Sequence, residues 1–479
     1  MTTPIANLIT HGPFDPTWES LRQFETPDWF RDAKFGIWAH WGPQCFPMIG
    51  DWYARRIYQP NDQAYHHHWR VYGHPSKVGY KDIVPMWKAE KFDPEDLMDR
   101  YVAAGARYFV AQAVHHDNFD NWNSRHHAWN AVQVGPKKDI VGLWHEAARK
   151  RGLRFGLSEH LGASFSWGKF NKNCDPDGPY AGVPYDGNDP AYADFYHDNQ
   201  GDTEDWYSKN PAWHARWYAR MKDLVDQHQP DLLYSDGGVP FDEVGLNLIA
   251  HLYNTSAALH GGVNEAVYNQ KDTKPEVYRV GVLDIERGQR PDIAEDPWQT
   301  DTCVGGWFFD SRAIYKTPGH VIEMLVDIVS KNGNLLLNLP QMPDGTLDEE
   351  CLWILESLSA WFEVNGDGIY GTRPWRVAGE GPARPEAGAF KETAVSWSPE
   401  DFKFTSVPGT VYAFQMKRSA DGAAAIKSLS RESGLTVSGV SVLGSGAPLK
   451  YDQAEQALVL HIPEDQGSSN VPCLAVRVG

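Results

Sequence analysis

Over roughly its first 365 residues the chain repeats one unit: a short apolar run, a polar side chain at its end, then a longer amphipathic stretch. Strands that are apolar throughout must be covered on both faces, and connections of helical length between them call for a parallel sheet. The apolar runs are KFGIWAHW (34–41), ARYFVAQAVHH (106–116), LRFGLSEH (153–160), DLLYSDG (231–237), EVYRVGVLDIE (276–286) and NLLLNLP (334–340). A short strand near Ala266–Asn269 and another near Trp307–Phe309 complete eight. The intervening segments 93–106, 139–152, 211–230 and 317–333 open on Asp, Pro or Thr-Pro and reach Gly or Pro at their ends, as helices do.

Eight such units predict a closed (β/α)8-type barrel. An open doubly wound sheet is the rival, but no GxGxxG follows the first strand, and polar residues stand at the ends of many strands rather than at one crossover. Beyond Gly371 the period changes. TVYAFQMK (410–417), GLTVSGVSVLG (434–444) and QALVLHIP (456–463) alternate between Gly-, Ser-, Asp- and Pro-rich turns, which predicts an antiparallel β-sandwich. The expected domains are a catalytic barrel over 1–370 and a β-sandwich over 371–479.

A barrel gathers its strand ends around one mouth, so those ends carry the candidate chemistry. They bring His40, the pair His115 and His116, the pair Glu159 and His160, Asp236, and Glu286. Asp236 leaves an apolar strand where Gly237 and Gly238 can turn the backbone clear of its carboxylate; the competing role is a cap on the helix expected near Phe241. A glycosidase needs a second carboxyl group about 5 Å from a nucleophilic one if it retains configuration. Glu286 ends a strand on the same rim and is the first choice, with Glu295 and Glu159 as alternatives. Trp41 and Trp122 stand beside the histidine motifs as candidate sugar contacts.

Composition narrows the partners. A net charge of −19 opposes nucleic acid and anionic membranes, whereas 20 Trp, 21 Tyr and 20 Phe suit a small neutral carbohydrate or glycoconjugate. Five widely spaced cysteines without CxxC indicate neither a disulfide framework nor a zinc–thiolate site, and HExxH is absent. Neighbouring side chains such as His115 and His116 would point to opposite faces of a strand, which is poor for joint chelation. No metal and no cofactor are expected. The N-terminus has no basic segment followed by an apolar one, so the expected location is cytoplasmic. A homo-oligomer is compatible with all of this.

The pieces WFRDAKFGIWAHWGP (29–43), YFVAQAVHHDNFDNWNS (108–124), VGPKKDIVG (134–142), LRFGL (153–157), DLLYSDG (231–237), PWQTDTCVGGWFF (297–309) and LVDIVSKNGNLLLNLPQMPDGTL (325–347), with GIYGTRPW (368–375), resemble the α-L-fucosidases of glycoside hydrolase family 29. The resemblance implies a barrel joined to a C-terminal β-sandwich and exo-acting, retaining, metal-free hydrolysis. It places the nucleophile on Asp236 and substrate-binding histidines on His40, His115 and His116; the acid/base varies in position across the family. There are departures. The family's HHDGF is His-His-Asp-Asn-Phe at 115–119, its tyrosine pair after LRFGL is replaced by Ser158, Glu159 and His160, and its WE becomes Trp298–Gln299. These changes leave room for a galactose-configured or other terminal sugar, and the lost glutamate for a silent binding protein.

Overall fold

A computed structural model describes residues 10–199, 202, 205–467 and 470–479; most of the N-terminal stretch read above for a leader lies outside them. Eight parallel strands close a barrel in sequential order: β1 Phe35–Ala39, β2 Tyr108–Val114, β3 Arg154–Glu159, β4 Leu232–Ser235, β5 Val267–Gln270, β6 Val282–Asp284, β7 Trp298–Cys303 and β8 Gly333–Asn338. Closure is made by β1 against β8, with Phe35 beside Leu335 and Trp38 beside Asn338. The open-sheet alternative is thereby excluded.

The helices follow their sequence signals. Asp93 caps Pro94–Ala103, Asp139 caps Ile140–Lys150, Asn210 caps Pro211–His228 and Thr317 caps Pro318–Ser330, each accepting a backbone N–H that the first turn leaves orphaned. Each buries one apolar face, as Trp144 and Ala148 do in the second and Leu325 and Val329 in the fourth.

Two strand assignments are corrected. The seventh strand is not Trp307–Phe309 but Trp298–Cys303, whose reading WQTDTC lacks an apolar run because Gln299 and Asp301 are buried in polar partnerships. The run 276–286 is not one strand: Pro275–Tyr278 is a helical turn, and only Val282–Asp284 is extended. Gly281 lies between them because a Cβ there would stand 2.1 Å from the Tyr268 carbonyl oxygen.

In the C-terminal part, a five-stranded antiparallel sheet and a three-stranded one enclose a core of Phe402, Phe404, Val411, Leu458, Leu474 and Val476. The larger sheet, which begins at Arg373, also packs on the barrel's helices. Trp361 stacks on Phe414 at 6.2 Å, and Lys403 pairs with the buried Asp327 at 2.5 Å. Among the described residues no helix is long and apolar enough to cross a membrane.

Candidate active site

The carboxyl ends of the strands surround a cavity of about 630 Å³. His40 follows β1, His115 and His116 follow β2, His160 follows β3 and Asp236 follows β4; all five line the cavity, as does Glu286 beyond β6. A register shift between Gln112 and Val114 explains how two adjacent histidines reach one space: both lie past the last regular pair of β2, where strand alternation no longer holds.

Asp236 caps no helix; the next one runs Glu243–Leu259 behind Asp242. Gly237 has φ +118, and a Cβ on it would meet the Tyr207 hydroxyl at 2.4 Å, so the turn that frees the Asp236 carboxylate requires glycine. Lys271, one residue past β5, places its ammonium 2.8 Å from Asp236 Oδ1 and in hydrogen-bond contact with Glu286 Oε2. One ammonium touching both carboxylates brings an oxygen of each close to the other, as the neighbouring carboxyls of a retaining pair require. His116 Nδ1 is 2.7 Å from the His160 carbonyl, to which it must donate, while its Nε2 stands 3.2 Å from Asp236 Oδ2. With Nδ1 committed to that carbonyl, Nε2 is the ring atom that faces the Asp236 carboxylate.

The two carboxyl groups are driven apart. Burial alone would push Asp236 up, but Lys271 and His116 more than offset it and hold the group well below the usual carboxylate range. Burial pushes Glu286 up to about 7, an effect that Lys271 only partly opposes and that Asp301 and Asp236 reinforce. Two neighbouring carboxyls, one held low and the other raised to about 7, have the chemistry to serve as a nucleophile and a proton donor. Lys271 itself, despite burial, is held far above the ordinary lysine value by Asp236, Asp301 and Glu286. Lys271→Met therefore removes the principal counter-charge of Asp236 and the main restraint on Glu286. Turnover should fall about 100-fold, and the alkaline limb of the pH–rate profile should move above its wild-type position. An unshifted limb would show that Lys271 does not couple the pair.

His40 and His115 are held neutral by burial, and His160 is lowered by burial to about 3. Neutral imidazoles offer one donor and one acceptor each, which suits sugar hydroxyls. Among the described residues Nδ1 of His40 and of His160 finds no side-chain or backbone hydrogen-bond partner. One ring nitrogen from each of His40, His115 and His160 lies within 4.8 Å of the others, the one set among the described residues close enough to hold a metal ion. Gln44 Nε2 donates to His115 Nδ1 at 2.7 Å, however, which leaves His115 Nε2 protonated and a donor rather than a ligand.

Other candidates lie elsewhere. Trp41 is buried against Trp87 and Phe92 with its indole N–H on the Met342 carbonyl, and Trp122 is buried facing Asp223; neither lines the cavity. Glu159 is sequestered beneath it, its carboxylate bonded by Ser235 Oγ at 2.6 Å, Trp217 Nε1 at 3.2 Å and Gly162 N at 3.2 Å. Glu295 precedes β7, at the opposite end of the barrel, with its side chain 90% exposed. Of the departures in sequence, only His160 reaches the cavity. Asn118 has φ +63, a conformation that glycine or asparagine tolerates, and its amide donates to the Asp194 and Phe195 carbonyls. Gln299 is buried in the barrel interior, donating to Asp284 and accepting from Tyr108, so the carboxylate missing there is not missing from the cavity.

Sequence reasoning missed Lys271, Asp51, Trp52, Asp301, Trp307 and Phe390, all of which line the cavity. Lys271 was accessible, one step beyond the strand expected near Ala266–Asn269. Asp301 was hidden by the misplaced seventh strand. Burial raises Asp51 to about 6, and Trp52 beside it has φ +60.

The chain matches the family model described as Alpha-L-fucosidase over residues 2–367. It is similar to the tissue alpha-L-fucosidase of Mus musculus, at 27% identity over 94% of this chain and 91% of that one. An alpha-L-fucosidase of Branchiostoma floridae is 28% identical over 96% and 94% of the two chains. Among solved structures, the Thermotoga maritima alpha-fucosidase in complex with fucose superposes with TM-score 0.75 at 24% identity, covering 97% of this chain and 100% of that one. An alpha-L-fucosidase GH29 from Bacteroides thetaiotaomicron does so with TM-score 0.65 at 16% identity, covering 98% of both. At these identities the structural likeness supports the fold alone.

Proposed function

Since the chain belongs to the alpha-L-fucosidase family of glycoside hydrolases, we propose that its cavity removes a terminal L-fucose with retention of configuration, Asp236 acting as nucleophile and Glu286 as acid/base. The observation that carries this is Lys271 in contact with both carboxyls while one is held low and the other near 7. His40, His115, His116 and His160 would hold the sugar hydroxyls, with Trp38 and Trp307 beside them.

In the first step an Asp236 oxygen attacks the anomeric carbon as the glycosidic bond breaks, and Glu286 gives its proton to the departing oxygen. In the second, Glu286 takes a proton from water, whose oxygen displaces Asp236 from the sugar. The two stages place opposite demands on Glu286, and charge supplies both. In the free protein the Asp236 anion helps keep Glu286 protonated. Once Asp236 is an ester that anion is gone, Lys271 is shared by Glu286 and Asp301 only, and the carboxylate form needed for general-base work is favoured.

The test is initial rates on aryl glycosides, α-L-fucoside and β-D-galactoside side by side. Turnover of the α-L-fucoside is expected. Turnover of the galactoside alone would transfer the specificity to another sugar, and turnover of neither would favour a silent binding protein.

A further inference from the structure

We propose that Phe390, carried to the rim of the cavity by a strap from the C-terminal part, is the platform on which the leaving group stacks, and that this leaving group is a second sugar ring. The inference rests on the assignment of Glu286 as acid/base and extends it to the side from which the aglycone departs.

The strap runs beside the segment that follows β6. Gly388 N donates to the Gln289 carbonyl at 2.9 Å, Phe390 N to the Glu286 carbonyl at 2.8 Å, and Glu392 N to the Arg287 carbonyl at 2.9 Å. Glu392 latches it by side chain, accepting from Thr302 Oγ1 at 2.5 Å and pairing with Lys316 at 2.6 Å. The position of Phe390 is therefore fixed relative to Glu286 by backbone bonds on both sides of it.

Among the described residues no hydrogen bond, ion pair or ring contact accounts for that side chain. Phe390 lines the cavity yet is 68% exposed, and among the described residues no aromatic ring packs on it. It also has φ +58, a conformation unfavourable for a bulky residue. An exposed apolar ring held in a strained backbone at a cavity rim is poor for stability and suits a contact made only when ligand is present. Its neighbour defines which part of the ligand that is. Glu286 protonates the glycosidic oxygen, so whatever lies beyond that oxygen passes the residue whose carbonyl anchors Phe390. The floor of the cavity, with its four histidines, takes the terminal sugar; the ring at the lip faces the unit behind it. An apolar planar face with no charged group of its own matches the C–H face of a pyranose.

The experiment compares kcat/KM of wild type and Phe390→Ala on α-L-fucosyl fluoride, whose leaving group is one atom, and on (1→2)-, (1→3)-, (1→4)- and (1→6)-linked fucosyl disaccharides, using the linkage that wild type cleaves fastest. The ratio of disaccharide to fluoride activity is expected to fall about 10-fold in the variant, mostly through KM, and to return in Phe390→Trp. An unchanged ratio, whether both activities fall or neither does, would overturn the platform. Cleavage of the fluoride with no disaccharide cleaved by wild type would overturn the sugar aglycone. Failure of wild type on every fucoside would instead sink the reading on which the proposal stands.

Discussion

Replacing Asp236 with alanine should lower turnover of an aryl α-L-fucoside by about 10⁴-fold, roughly 5.5 kcal/mol of barrier. Neither of the other strand-end carboxyls can take its place. Glu159 is buried beneath the cavity with three donors on its carboxylate, and Glu286 is the neutral acid of the pair. Alanine is the better substitution because asparagine would stand before Gly237, where deamidation regenerates the carboxylate. Azide added to Asp236→Ala should enter from the vacated face and give the β-L-fucosyl azide. Full activity in the variant, or a product azide of retained configuration, would contradict the assignment.

Glu286→Ala has an effect that depends on the leaving group. With a poor leaving group, loss of the proton donor should cost about 10³-fold. With the fluoride the first step needs little proton donation, and the second becomes limiting because no base activates water. Azide, which needs no base, should then accelerate turnover and give the α-L-fucosyl azide. The two variants are thus separated by product stereochemistry as well as by rate. The pH dependence follows from the same group. Glu286 is raised to about 7 and must carry its proton for the first step, so wild-type kcat/KM should be level below that value and fall tenfold per pH unit above it. In Glu286→Ala this alkaline limb should disappear from the residual cleavage of the aryl α-L-fucoside. A limb that persists would place the titrating group elsewhere.

The barrel was legible because its helices carry caps and several of its strands are apolar almost throughout, as Phe35–Ala39 is and as Tyr108–Val114 is but for Gln112. The same rule failed at β7, where Gln299 donates to Asp284 and Asp301 accepts from Tyr234 inside the barrel, which breaks the apolar pattern that identifies a strand. Strand ends found Asp236, Glu286 and four histidines because a barrel brings all such ends together. They overreached at Glu159, which belongs to β3 itself and remains below the cavity floor, and at Trp41 and Trp122, which fill the core beside the motifs they belong to. Phe390 could not be found this way. It lies far along the chain in a segment without periodicity, and only the backbone pairing of the strap with Glu286–Gln289 brings it to the mouth.

The most direct test is to incubate the protein with 2-deoxy-2-fluoro-α-L-fucosyl fluoride, in which the fluorine slows breakdown of the glycosyl ester, and to map the modified peptide by mass spectrometry. A single fucosyl adduct on Asp236 is predicted, formed with loss of activity. An adduct on Glu286, or continued hydrolysis with no adduct and an inverted first product, would contradict the account.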